Sequence, residues 1–365
     1  MRILLTVNLA WNILNFRMGI VRALQNAGHE VAVLAPGEGA GLEAAGVRHI
    51  PLEMDAKGLS PLSGIALTAR MTRHFRSEQP DVVLSWTIKN NIFGAIAARR
   101  AGVPFIPNVS GLGTAFLSGG ALQHVAEILY RRAFRSLDTV FFQNAEDRGL
   151  FTDRRLVRTE QTHLLPGSGI DLARFNATPM PDTAPVFLMV ARLLRDKGVV
   201  EFVEAARIVR ARHPEATFSL LGALDADNRS AIPETLLHAW VAEGIIDYLG
   251  TALDVRPHIE RAHCVVLPSY REGAPRTLIE AAAMGRPVIA TDVPGCRAVV
   301  KRELTGLLCD VRSAESLAKT CLQFLGMTPQ SRAAMGQAGR ARIENQYDEK
   351  LVVKAYLAAI ERAVR

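Results

Sequence analysis

Short, nearly uninterrupted apolar runs alternate in this chain with longer segments whose apolar positions recur every three or four residues. In the first half the apolar runs are "RILLTV", "EVAVLAP", "PDVVLSWT", "VPFIPNVSG" and "DTVFFQN". Runs of this length, apolar on both faces, predict buried strands. Between them "FRMGIVRALQNAG", "SGIALTARMTRHFRSE", "NIFGAIAARRAG" and residues 121–136 predict helices. The first of these ends at Gly28, a residue suited to a helix C-terminus. The second half restarts the rhythm. "PVFLMVARL", "ATFSLLG", "IIDYLG", "CVVLPS" and "PVIATD" read as strands, with helices at "VVEFVEAARIVRARHP" and from Pro275 to Met284. The stretch "LLPGSGIDLARFNATPMPDTAP" separates the halves and has linker chemistry. The pattern predicts an α/β protein of two doubly wound parallel-sheet domains facing a cleft, residues 1–170 and 171–345. A terminal helix over residues 346–365 is expected to pack back on the first domain. Ligands of such sheets bind beyond the carboxyl ends of the strands, so the chemistry is expected just after the apolar runs.

Composition narrows the class without changing this picture. The chain of 365 residues is 49% hydrophobic and 22% charged, which excludes a disordered or collagen-like protein. No run approaches the ~20 apolar residues of a membrane span. The N-terminal stretch lacks a small-residue cleavage site, so no signal peptide is expected. Cys264, Cys296, Cys309 and Cys321 show neither metal-ligand nor redox spacing and predict buried thiols in a reducing cytosol. The net charge is +7, and residues 1–175 carry most of it, with 19 Lys and Arg against 14 Asp and Glu. A basic half suits a phosphate-rich partner or an anionic membrane surface, although solubility alone would also explain it.

Two segments after predicted strands carry the candidate chemistry. In "ARLLRDKG", Arg192 and Lys197 flank a strand-to-helix connection and could straddle a diphosphate. On spacing alone they could equally be surface cations. "PSYREGAPRTLIEAAAMGRPVIATDVPG" is more specific. Gly273 permits close backbone approach, and Pro275 suits the first helical position. The N–H groups of Arg276, Thr277 and Leu278 would then face an anion above the helix start. Glu272 and Glu280 bracket this junction and could accept hydrogen bonds from hydroxyls of one ligand. The alternative reading has Glu280 decorating a solvated helix face. Hydroxyls beside a diphosphate describe a nucleotide sugar.

These motifs resemble the signature of retaining GT-B glycosyltransferases of the family 4-like group. The resemblance runs from "RILLTVN" to the end of the chain. It implies the GT-B fold and a role for Glu272 at the transferred sugar. It places Glu280 at the ribose and Arg192 and Lys197 at the diphosphate, with Gly273, Ala274, Pro275, Arg276, Thr277 and Leu278 around the donor. The base is expected near Gly222, Tyr248 and Leu249, the last two in the segment Tyr248 to Thr251. No cofactor and no metal are expected beyond the donor itself.

"NFRMGIVRALQNAGHEV", "SWTIKNNIFGAIAARRAGVP" and "VSGLGTAF" are similar to one branch of that family. Its members add N-acetylhexosamines or related sugars to undecaprenyl-diphosphate-linked glycans of capsule, O-antigen or N-linked glycan assembly. The likeness implies a UDP-linked donor and a polyprenyl-diphosphate-linked acceptor. It also implies acceptor contacts from Asn15, Arg17, Lys89, Asn90, Ser110, Gly111 and Gly113. Many relatives carry a histidine at the end of the fourth strand, where this chain has Ser110 and Gly111, so no histidine role carries over. His124 reads as an ordinary helix residue. Location at the cytoplasmic face of the plasma membrane is expected, through a basic surface formed by Arg70, Arg73, Arg76, Arg131, Arg132 and Arg135 with Ile65, Met71 and Phe75.

Three rivals are weaker. A dinucleotide-dependent oxidoreductase needs a glycine-rich turn after the first strand, and "NLAWNILN" has none. A nucleic-acid-binding protein would show aromatics among its arginines, and nucleic acid is not an expected partner. A nucleotide-sugar epimerase of the same shape differs only in releasing nucleotide without an acceptor.

Overall fold

The computed structural model describes residues 1–55, 61–112, 120–225, 228 and 230–364. The chain divides into two compact units: Met1–Gly169 together with Glu349–Arg365, and Ile170–Asp348.

The first unit is built on seven parallel strands. They are β1 (Arg2–Thr6), β2 (Glu30–Ala35), β3 (Arg48–Pro51), β4 (Val82–Trp86), β5 (Phe105–Val109), β6 (Val140–Phe142) and β7 (Thr162–Leu164). Their order is β3-β2-β1-β4-β5-β6-β7. The chain winds outward from β1 in both directions, which puts the topological switch point between β1 and β4. Alternation along β1 sends Leu4 to a core with Phe75, Phe105 and Phe142. Ile3 and Leu5 go to the opposite core, with Trp86 and Phe141. The helix Glu349–Ala363 completes that second core with Val352, Tyr356, Ala359 and Ile360.

Two helices depart from the sequence pattern. "FRMGIVRALQNAG" forms the helix Met18–Asn26, and a separate helix, Ala10–Phe16, precedes it across Arg17. The helix after β4 runs Ile88–Ala101 and so begins earlier than its apolar periodicity suggests. Its polar first turn is buried rather than loop-like. Asn90 Nδ2 donates to Thr6 Oγ1 (2.9 Å), and Thr87 Oγ1 donates to Asn90 Oδ1 (2.9 Å). Ser85 Oγ donates to Asn91 Oδ1 (2.8 Å), and Asn91 Nδ2 donates to the Asn108 carbonyl oxygen (2.8 Å). Asn108 Nδ2 in turn donates to the Tyr356 hydroxyl (2.9 Å), which burial pushes up to about 12 and keeps neutral. Tyr356→Phe would leave that buried amide without its acceptor. It is expected to cost about 1–3 kcal/mol of unfolding free energy by urea denaturation.

The second unit has six parallel strands. They are β8 (Val186–Val190), β9 (Thr217–Leu221), β10 (Asp247–Tyr248), β11 (Cys264–Leu267), β12 (Val288–Thr291) and β13 (Gly306–Cys309). Their order is β10-β9-β8-β11-β12-β13, so the switch point lies between β8 and β11. The segment that reads as a linker is partly packed. Ile170 and Phe175 enter the core of this unit. The fully buried Arg286 guanidinium donates to Thr178 O (2.7 Å), Thr178 Oγ1 (2.7 Å) and Pro179 O (2.8 Å). All four cysteines are buried free thiols, and burial pushes each of them up.

Candidate active site

Two loops leave the second sheet on either side of its switch point. The first follows β8 and carries Arg192 into a short 3-10 turn, Arg195–Lys197, ahead of the helix Val199–Arg210. Gly198 joins turn to helix at φ 77°, where a side chain would be strained. A Cβ there would also lie 2.1 Å from the Pro268 carbonyl oxygen. Pro268 opens the second loop, which follows β11. The two loops therefore meet through backbone, and the Tyr270 N–H donates to the Asp196 carbonyl oxygen (2.9 Å). Their side chains meet as well: Lys197 Nζ lies 2.5 Å from Glu272 Oε1. The lysine side chain is 26% exposed and the carboxylate 12%, so the pair is half-desolvated but reachable.

Gly295 supports this arrangement, and sequence reasoning gave it no role. It sits in the helix Pro294–Val299, and a Cβ on it would come within 2.4 Å of the Glu272 carbonyl oxygen and 2.6 Å of that of Gly273. The glycine closing "ATDVPG" thus gives the Glu272 loop its seat.

The helix Arg276–Ala283 starts beside the pair. Pro275 stands at the N-cap, one position before the first helical turn. Thr277 Oγ1 donates to the Val190 carbonyl oxygen (2.9 Å), tying the helix start to the end of β8. The expected outward role of Leu278 does not hold. Its N–H donates back to Pro275 O (3.1 Å), and its side chain is in the core. Glu280 does not decorate a solvated face either. It is buried, with Oε1 accepting from Arg276 Nε at 2.7 Å. Burial pushes its carboxyl up, against the opposing pull of Arg276 and Arg174; the Asp254 charge adds to the rise.

The base-side candidates converge at the same sheet edge. Gly222 N–H donates to Gly250 O (2.8 Å), the Tyr248 hydroxyl donates to Gly222 O (3.0 Å), and Leu249 N–H donates to Leu220 O (2.9 Å). A Cβ on Gly222 would collide with the Ala191 carbonyl oxygen, so glycine is required for this approach. Arg192 is placed differently from Lys197. Its Nη1 lies 3.1 Å from Asp225 Oδ2, and its side chain is 59% exposed.

The first unit distributes its candidates less favourably. Asn90 is fully buried in the polar network, and Arg17 is buried with its guanidinium 4.8 Å over the Trp86 ring. Neither side chain faces outward as expected. Asn15 Nδ2 donates to Trp11 O (2.9 Å). Lys89 Nζ donates to the Asp55 carbonyl oxygen, and burial lowers its pKa while Asp55 opposes. Ser110 and Gly111 follow β5 half-buried; Gly113 lies outside the described residues. His124 is exposed. Met71 and Phe75 are fully buried core residues, not surface contacts, whereas Ile65 is 66% exposed. Among the described residues no group of three or more His, Cys, Asp or Glu could hold a metal ion. None of their helices is long and apolar enough to cross a membrane.

A cation, a carboxylate and a helix start at a switch point can hold a diphosphate and hydroxyls together. Comparison with known proteins shows the family. Residues 173–342 match the glycosyl transferases group 1, and residues 15–167 match the glycosyl transferase 4-like domain. The N,N'-diacetylbacillosaminyl-diphospho-undecaprenol alpha-1,3-N-acetylgalactosaminyltransferase of Campylobacter jejuni is 27% identical, over 97% of this chain and 96% of its own. The UDP-Gal:alpha-D-GlcNAc-diphosphoundecaprenol alpha-1,3-galactosyltransferase of Escherichia coli is 25% identical, over 74% of this chain and 70% of its own. Anabaena HepE, solved in complex with UDP and glucose, shares the fold with a TM-score of 0.80 at 18% identity, over 99% of each chain. The chain belongs to the GT-B glycosyltransferases, with a 4-like domain in its first half and a group 1 domain in its second.

Proposed function

We propose that this glycosyltransferase moves an N-acetylhexosamine or related sugar from UDP to a saccharide carried on undecaprenyl diphosphate, in surface polysaccharide or glycan synthesis. The carrying observation is the Lys197–Glu272 pair beside the start of the helix Arg276–Ala283. The acceptors named for the Campylobacter and Escherichia relatives support the lipid-linked acceptor.

In this reading Lys197 and the helix start hold the diphosphate. Glu272 orients a hydroxyl of the sugar, and Glu280 accepts from the ribose. Transfer retains anomeric configuration on one face of the sugar. The bond from C1 to the phosphate oxygen breaks, the bond from C1 to the acceptor oxygen forms, and the acceptor proton passes to the departing diphosphate. Fixed positive charge at the leaving group then supplies most of the acceleration, without a metal or cofactor. The test is mass spectrometry of the lipid product after incubation with UDP-sugars and acceptor. A product heavier by one sugar, with UDP formed only when acceptor is present, supports the reading. UDP released without acceptor points to an epimerase instead.

The enzyme meets its acceptor at the cytoplasmic face of the plasma membrane, without inserting. Exposed Ile65, Arg73 and Arg76 on the helix Pro61–Glu78, and Val125, Ile128, Arg131 and Arg132 on the helix Gly120–Phe134, supply the basic and apolar groups that support this. Arg73, Arg76 and Arg132 changed together to Gln should weaken binding to anionic vesicles on the order of 100-fold, at about 1 kcal/mol per cation. Co-sedimentation at low salt measures this. A variant that sediments like the parent places the membrane surface elsewhere.

A further inference from the structure

The Lys197–Glu272 pair joins loops that leave different strands, so its geometry depends on what holds those loops in register. Tyr270, two residues before Glu272, makes three contacts, and the first two do so. Its N–H donates to the Asp196 carbonyl oxygen (2.9 Å). Its hydroxyl donates to Glu201 Oε1 (2.7 Å). The Arg312 guanidinium lies 4.7 Å over its ring. Glu201 stands in the first turn of the helix Val199–Arg210, four residues after Lys197. The Tyr270–Glu201 bond therefore ties the Glu272 loop to the helix that follows the Lys197 turn.

The chemistry of this bond is unusual for packing alone. Among the described residues, nothing hydrogen-bonds the buried Glu201 Oε2. A carboxylate with one oxygen buried and unsatisfied destabilises a fold, so a neutral residue would serve better if only packing were needed. Burial pushes the Tyr270 hydroxyl up to about 12, and the Glu201 charge adds to this, so the phenol remains a donor. A charged acceptor also makes a stronger and more directional bond than a neutral one.

We propose that Tyr270 and Glu201 are positioning residues that set the placement of Glu272 against Lys197, and so the charge arrangement that meets the donor. This rests on the donor site proposed above. A displacement of about 1 Å in such a site can cost up to ~10²-fold in rate.

The test uses the full chain carrying Tyr270→Phe, Glu201→Leu or Glu201→Gln. Tyr270→Phe and Glu201→Leu are expected to lower kcat on the order of 10-fold, with KM for the UDP-sugar within about twofold. Glu201→Gln keeps an acceptor oxygen and should restore most of kcat. In a Lys197→Ala background, Tyr270→Phe should cost less than it costs the parent, because part of its route runs through that pair. A second measurement does not depend on catalysis: the rate at which an amine-reactive reagent labels Lys197, normalised to the exposed Lys319 and Lys354. Tyr270→Phe should raise it severalfold by loosening the pair. Unchanged Lys197 labelling overturns the proposal, as does full additivity with Lys197→Ala, or a Glu201→Gln as impaired as Glu201→Leu. Faster labelling in a protein whose parent transfers no sugar from UDP would uphold the latch and discard the donor reading.

Discussion

Lys197→Ala is expected to lower turnover by ~10²–10³ without unfolding the protein, the effect of deleting a preorganised charge stabiliser. The size follows from where the lysine sits. Its ammonium is held 2.5 Å from Glu272 with its side chain only 26% exposed, so its charge acts at short range in a partly desolvated place. The loss should fall on kcat, because charge builds on the departing diphosphate in the transition state. Arg192→Ala should cost less. Arg192 is 59% exposed and held by Asp225, and it must leave that partner before meeting a donor. Steady-state kinetics of both variants, with circular dichroism to confirm folding, checks the ranking. Full activity in Lys197→Ala would remove the lysine from the leaving-group role.

The second large effect separates the two acids. Glu280→Gln is expected to weaken UDP itself by ~10–100-fold, the range for losing a charged acceptor. Glu272→Gln should leave UDP binding within a few-fold and reduce transfer instead, because its partner is the sugar. Calorimetric titration of UDP into both variants tests this, and equal losses would contradict the division. A pH dependence accompanies it. Burial raises the Glu280 carboxyl above the ordinary range, so the carboxylate form is lost at a higher pH than for a solvated Glu as acid is added. The affinity for a UDP-sugar, whose diphosphate stays ionised over that range, should therefore fall on acidification. In Glu280→Gln the fall should be flatter.

The strands were legible because buried parallel strands are apolar on both faces, as in "VFLMV" and "CVVLP". β3 and β7 were not, since only Ile50 of "RHIP" and only Thr162 of "THL" are fully buried, and β13 was missed although all of "GLLC" is buried. The start of the helix Ile88–Ala101 was hidden for a different reason. Asn90 looks like a loop residue and Asn91 only opens the apolar periodicity, yet their amides are satisfied by Thr6 and Asn108, residues distant in sequence. The basic helix shows the limit of periodicity. Arg70, Arg73 and Arg76 were visible, but only the fold shows Met71 and Phe75 facing inward and Ile65 outward. In the site, Glu272, Lys197 and the helix start could be read because each stands just after a strand. Their pairing could not, because it depends on Gly198 meeting Pro268 and Gly295 meeting Glu272. Arg192 shows the converse. Its motif was plain, and its partner Asp225 lies on another loop with no spacing to announce it.

The most direct measurement is the labelling rate of Lys197 by an amine-reactive reagent, with and without a saturating UDP-sugar, followed by mass spectrometry. Lys319 and Lys354, exposed and outside the site, serve as internal standards. The account predicts that the donor protects Lys197 selectively and that Glu280→Gln shifts this protection to higher donor concentration. Turnover of the same UDP-sugar with no protection of Lys197 would contradict it.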